Sequence, residues 1–140
     1  MFKEEKIVEI CKKKKWRLTE PRLEVLRILS LSKKPLKAYD ILKKLANKIK
    51  NPKPPTAYRA IEFWQKHNFI HRIESLNAYT ACSHKHVHEN VQFLICDDCG
   101  KVIESQSQDI SQFLKNSTEK NTFKPIRWNL EINGICNQCY

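Results

Sequence analysis

The chain has 140 residues, of which 29% are charged, and a formal net charge of +11. Two glycines and no apolar run approaching ~18 residues exclude a collagen-like chain and a membrane-spanning helix. The length accommodates one domain or two small ones. The basicity is uneven: residues 1–82 carry 20 Lys and Arg against 8 Asp and Glu, whereas residues 83–140 carry 6 against 7. A first part at +12 beside a second at −1 is the electrostatic footprint of a nucleic-acid-binding half. The start of the chain is charged and has no apolar signal-peptide core, so a soluble, cytoplasmic protein is expected.

The first apolar pattern, Ile7, Ile10 and Cys11, has helical spacing and runs into Lys12-Lys13-Lys14-Lys15. Cys11 lies on that stripe and reads as a small core residue, and the lysines as a solvated face near a phosphate backbone. Thr19-Glu20-Pro21 is a helix start: a capping hydroxyl, an acid favoured by the dipole and a proline tolerated in the first turn. Leu23, Val25, Leu26, Ile28 and Leu29 then form a buried stripe, with Arg22 and Arg27 outward. A third helix is expected over residues 38–49.

Asn51-Pro52-Lys53-Pro54-Pro55 reads as a rigid, non-helical connector. After Thr56, the residues Ala57, Ala60, Ile61 and Trp64 fall on one helical face, leaving Tyr58, Arg59 and Glu62 outside. Tyr and Arg in the first turn of such a helix fit major-groove reading by its N-terminal end, although most amphipathic helices have polar faces of this kind. Residues 69–74 alternate, residues 75–77 turn and residues 78–82 return, a two-stranded wing. Helices followed by that hairpin make a winged-helix, DNA-binding domain over residues 1–82.

Residues 83–90 form a polar hinge dense in histidine. A strand over 91–95 leads to Cys96-Asp97-Asp98-Cys99-Gly100, and residues 101–104 continue it. A helix is expected over 109–120 with Ile110, Phe113 and Leu114 inward, then a strand over 123–132 carrying Trp128, then Cys136-Asn137-Gln138-Cys139. Residues 91–140 are thus a small α/β unit, and the whole chain is α+β. Two Cys-x-x-Cys pairs offer four thiolates, the set a tetrahedral structural zinc site takes at ~2.3 Å. Two disulfides are the alternative; a basic chain without a secretory segment points instead to a reducing compartment. The 36 residues between the pairs exceed zinc-ribbon spacing, so the metal would clip the end of this unit to its beginning.

Arg17-Leu18-Thr19-Glu20-Pro21-Arg22, Ala38-Tyr39-Asp40-Ile41-Leu42, Pro54-Pro55-Thr56-Ala57-Tyr58-Arg59-Ala60, Phe69-Ile70-His71-Arg72 and Phe93-Leu94-Ile95-Cys96-Asp97-Asp98-Cys99-Gly100 follow in fixed order. This series resembles the ferric uptake regulator family over nearly the whole chain, and within it the zinc-responsive members. The resemblance implies a homodimer that pairs through residues 91–140 and grips a palindromic DNA operator when metal is bound. It implies DNA contacts by Tyr39, Tyr58 and Arg59, and structural zinc at Cys96, Cys99, Cys136 and Cys139. It further implies regulatory zinc at His71, Cys82, His88 and Glu104, with His86 as the alternative hinge ligand, giving two Zn²⁺ per chain.

Most family members have a histidine cluster just before the first Cys pair, where this chain has Asn90, Val91 and Phe93. That departure, and a thiolate in the sensing set, favour zinc over an iron, manganese or peroxide regulator. A zinc hydrolase using His71, Cys82 and His88 with Glu104 as base is a further alternative. Four protein ligands would close the water position it needs, and no nucleophile motif is present. A zinc-responsive repressor of zinc uptake genes, and not an enzyme, is the function expected.

Overall fold

A computed structural model describes residues 3–83, 91–126 and 128–140. The chain divides into two compact units, Met1–Cys82 and Ser83–Tyr140. The first contains α1 (Glu4–Lys14), α2 (Glu20–Leu31), α3 (Ala38–Ala46), α4 (Pro54–Lys66) and the antiparallel hairpin of β1 (Ile70–Ile73) and β2 (Ala78–Ala81). Its core joins Val25, Leu26 and Leu29 of α2, Ile41 and Leu45 of α3, and Ala57, Ala60, Ile61 and Trp64 of α4. Cys11 is buried in the same cluster, as its place on the apolar stripe of α1 requires. Burial of this apolar surface is the main favourable term in holding three short helices together.

Several elements differ from expectation. Thr19 occupies the N-cap of α2, but its hydroxyl makes no capping bond. The third helix stops at Ala46, and Ile49 packs on the core from beyond its end. Pro54 and Pro55 belong to α4 and do not precede it. A proline in the first turn sacrifices no intrahelical hydrogen bond and arrives with helical φ, so the pair starts the helix. Neither arginine of α2 merely faces water. Arg27 pairs with Glu24 and reaches Glu4 of α1, while Arg22 lies 3.7 Å from the centroid of Phe63 in α4.

A reciprocal pair of backbone hydrogen bonds joins Leu36 to Tyr79 at 2.8 and 2.9 Å. It ties the segment before α3 to the wing. Asn77, with φ of 45°, completes the wing turn, and its amide N–H donates to the carbonyl of Glu74.

The second unit is a three-stranded sheet in the order β4-β3-β5, with one helix. β3 (Val91–Cys96) runs antiparallel to β4 (Val102–Gln106) and parallel to β5 (Leu130–Gly134), and α5 (Gln108–Glu119) lies between β4 and β5 in the chain. The Ser107 hydroxyl caps α5 by accepting from the Ile110 N–H. The last strand is shorter and later than residues 123–132. Its extent is set by pairing with β3, from Gln92 opposite Leu130 to Cys96 opposite Gly134, and Trp128 precedes it. Phe113 is not inward: it is 70% exposed, and α5 contains no buried residue. Among the described residues, no helix is long and apolar enough to cross a membrane.

Candidate metal centres and nucleic-acid interface

The parallel pairing of β3 with β5 brings the two Cys-x-x-Cys turns to the same end of the sheet. Cys96 ends β3 opposite Gly134, and the Asp97 N–H donates to the Gly134 carbonyl at 2.9 Å. The first turn closes through the Gly100 N–H on the Cys96 carbonyl at 2.9 Å, with Gly100 at φ of 70°, a conformation that favours glycine. The second closes through the Cys139 N–H on the Cys136 carbonyl, also at 2.9 Å. Asn133 Nδ2 donates to Asp97 Oδ1 at 2.9 Å, a clasp between the two segments that the sequence did not reveal.

The four sulfurs of Cys96, Cys99, Cys136 and Cys139 lie within 4.8 Å of one another. Cys99 and Cys136 are 3.7 Å apart, and Cys136 and Cys139 are 3.6 Å apart. A regular tetrahedron with metal–sulfur bonds of ~2.3 Å has edges of about 3.8 Å, so the set fits zinc. The electrostatics agree. Backbone N–H groups of Cys99 and Cys136 directed at its sulfur hold the Cys96 thiol down at about 6. The Cys139 thiol is pushed up to about 12 by hydrogen bonding to the neighbouring sulfurs of Cys136 and Cys99 and by burial. Four thiols this close cannot all ionise unless a cation sits among them. Cys96, Cys99, Cys136 and Cys139 are not joined in disulfides.

In the first unit, His71 on β1 and Cys82 just after β2 share one face of the wing. The register sets His71 opposite Thr80, and the Cys82 N–H donates to the Phe69 carbonyl at 2.9 Å, which makes His71 and Cys82 diagonal neighbours. A ring nitrogen of His71 and the Cys82 sulfur lie within 4.8 Å of each other, an imidazole–thiolate pair suited to zinc. In the second unit, Glu104 sits on β4 opposite Phe93. Its Oε2 accepts from both the backbone N–H and the hydroxyl of Ser83, each at 2.9 Å. Ser83, at the start of the stretch expected as a hinge, makes this contact across 21 residues, and no local sequence pattern announces it. His86 and His88, with the rest of the hinge over residues 84–90, lie outside the described residues.

The residues expected at DNA are presented outward. Tyr39, in the first turn of α3, is 66% exposed, with the Lys43 ammonium 4.9 Å from its ring centroid. Tyr58 is 49% exposed, and Arg59 beside it is exposed as well. Behind them Trp64 is fully buried, and its indole N–H donates to the Arg22 carbonyl at 2.7 Å.

The family described as the ferric uptake regulator family matches residues 13–133. The chain belongs to the ferric uptake regulator family. Within it, the zinc uptake regulation protein of Escherichia coli (strain K12) is 37% identical over 134 residues, covering 94% of this chain and 77% of the relative. The ferric uptake regulation protein of Legionella pneumophila is 30% identical over 126 residues, covering 88% and 90%. A solved zinc uptake regulator in complex with zinc and DNA superposes with a TM-score of 0.91 at 33% identity, covering 96% of this chain and 91% of that one. Membership of a family of regulators leaves no ground for reading the Cys82–His71 pair as part of a hydrolase.

Proposed function

We propose that the chain is a zinc-responsive transcriptional repressor of zinc uptake genes, which binds palindromic operators as a homodimer when its regulatory site holds zinc. Residues 1–82 act as the winged-helix DNA-binding domain, 83–90 as the hinge and 91–140 as the dimerisation domain. Cys96, Cys99, Cys136 and Cys139 hold one Zn²⁺ permanently. His71, Cys82, Glu104 and a hinge histidine, His88 or His86, hold a second that exchanges with the cellular pool. The cytoplasm, where thiols stay reduced, is the fitting compartment. The similarity to zinc uptake regulators, one of them solved with zinc and DNA, supports this reading.

The observation that carries the zinc assignment is the His71–Cys82 pair on one face of the wing. A thiolate beside an imidazole is softer than the nitrogen and oxygen sets that suit iron or manganese sensing. When bound, the ion supplies a charge that favours one arrangement of its ligands over others, and by linkage DNA binding tightens zinc binding equally. The protein's own part is to bring Tyr39, Tyr58 and Arg59 to the groove. Arg59 donates to a guanine edge, and the surrounding lysines neutralise phosphates.

The test is a gel-shift titration against buffered free zinc, with metal stoichiometry measured on the same sample. Wild-type protein should carry two Zn²⁺ per chain when it binds. Cys82→Ser should retain one, remain dimeric and lose zinc-dependent binding. Full zinc-dependent binding by Cys82→Ser, or activation by iron or manganese in preference to zinc, would overturn the proposal.

A further inference from the structure

We propose that Ser83 is a positioning residue for Glu104: it holds Oε2 of the carboxylate with two donors, so that Glu104 meets zinc through Oε1 alone. The inference rests on the reading of Glu104 as a regulatory ligand and specifies how that ligand is presented.

The backbone N–H and the Oγ–H of Ser83 both reach the same oxygen, each at 2.9 Å. One carboxylate oxygen offers about two lone pairs, so two donors use its accepting capacity. Bonds to an ionised acceptor are about twice as strong as neutral ones. The residues are 21 apart in sequence, so the contact is not a turn or helix cap of the ordinary local kind. The other end of Glu104 is fixed too, because its backbone lies within the paired stretch of β4, opposite Phe93. Glu104 is therefore held at its Cα by the sheet and at one carboxylate oxygen by Ser83.

Ser83 also follows Cys82 directly in the chain, and the Cys82 amide is itself tied to the Phe69 carbonyl at 2.9 Å. Outer donors of this kind set ligand orientation and tune metal affinity, and their loss typically costs ~10–100-fold in affinity. Removing the hydroxyl leaves the backbone donor in place, so the low end of that range applies.

The experiment uses the full chain with its four-cysteine site loaded. Zinc affinity of the second site is read by competition with a chromophoric chelator for wild type, Ser83→Ala, Ser83→Thr and Glu104→Gln. Infrared difference spectra of protein labelled with ¹³C-carboxyl glutamate report the carboxylate stretching splitting on zinc addition. That splitting is wide for one-oxygen ligation and narrow for two. Ser83→Ala should bind zinc ~10-fold more weakly with a narrowed splitting, and Ser83→Thr should restore both. If Glu104→Gln weakens zinc binding but Ser83→Ala does not, or if Ser83→Thr is no better than Ser83→Ala, the positioning role is wrong and the ligand assignment stands. If Glu104→Gln binds zinc as wild type does, both are wrong.

Discussion

The indole N–H of Trp64 donates to the main-chain carbonyl of Arg22 at 2.7 Å, across 42 residues of sequence. The bond pins the helix carrying Tyr58 and Arg59 to the first turn of α2. On the same turn the Arg22 guanidinium stacks on Phe63, the residue beside Trp64, so the two helices are joined twice at one level. Trp64→Phe removes the donor and leaves part of a fully buried site unfilled. The change should cost the first unit about 2 kcal/mol, measured as the shift in urea unfolding followed by far-UV circular dichroism.

Arg59 is exposed and free of any role in the core, so its replacement should leave unfolding unchanged within ~0.5 kcal/mol. Arg59→Ala should lower operator affinity by about 1–3 kcal/mol and flatten the preference at the base pair it reads. Replacing one of Lys12–Lys15 should weaken all sequences alike and reduce the salt slope by about one. Fluorescence anisotropy on operators selected with the wild-type protein, over a salt series and with single base changes, distinguishes the two behaviours.

His67 stacks on Trp16 with ring centroids 3.7 Å apart, and Phe63 meets it edge-on at 4.7 Å. Burial lowers its pKa below 6.5, with smaller contributions from the Lys66 and Arg22 charges. A histidine whose folded pKa is depressed binds its proton more readily in the unfolded chain. Its contribution to stability is therefore full above pH 6.5 and declines as pH falls from 6.5 through the folded value. Unfolding midpoints measured between pH 7.5 and 5.5 should fall more steeply for wild type than for His67→Phe, which keeps the aromatic stack and cannot titrate.

Stripping the four-cysteine site should act on the second unit and spare the first. With a strong chelator, or in Cys136→Ser, amide exchange of β3 and β5 should accelerate at least ~100-fold, whereas α2 and α4 keep their protection. Equal loss in both units would contradict the assignment of a separate structural site. Because zinc ligands bind deprotonated and the Cys139 thiol is pushed up to about 12 in the free cluster, loading must release protons. Zinc retention should accordingly weaken as pH falls, measurable as faster capture by a chelator dye.

What the sequence revealed divides by the range of the interactions involved. The Cys-x-x-Cys turns were legible because two sulfurs and their spacer are a local unit, and the first even includes its own Gly100. The buried stripe of α4 was legible because Ala57, Ala60, Ile61 and Trp64 repeat at helical spacing. The start of α4 was misread, since Pro54-Pro55 marks a breaker inside a helix but a start at its first turn. The limits of β5 were also misread, because they are set by a partner strand more than thirty residues earlier. Phe113 followed the helical period of α5, yet one chain has too few layers to cover it. The Ser83–Glu104 and Asn133–Asp97 bonds are long-range, and no local pattern announces them.

The parallel pairing of β3 with β5 also bears on how the chain acquires its metal. Neither Cys pair alone offers more than two sulfurs, and two-sulfur sites hold zinc weakly. The complete set exists only once Gln92–Cys96 has found Leu130–Gly134 in the correct register. Pairing of such distant segments is slow compared with hairpin formation. A slip of one residue would turn the alternating side chains over and move one knuckle past the other. If the four cysteines hold zinc as proposed, durable binding is therefore reserved for copies that have paired correctly, and the ion would proofread folding before it serves as a brace.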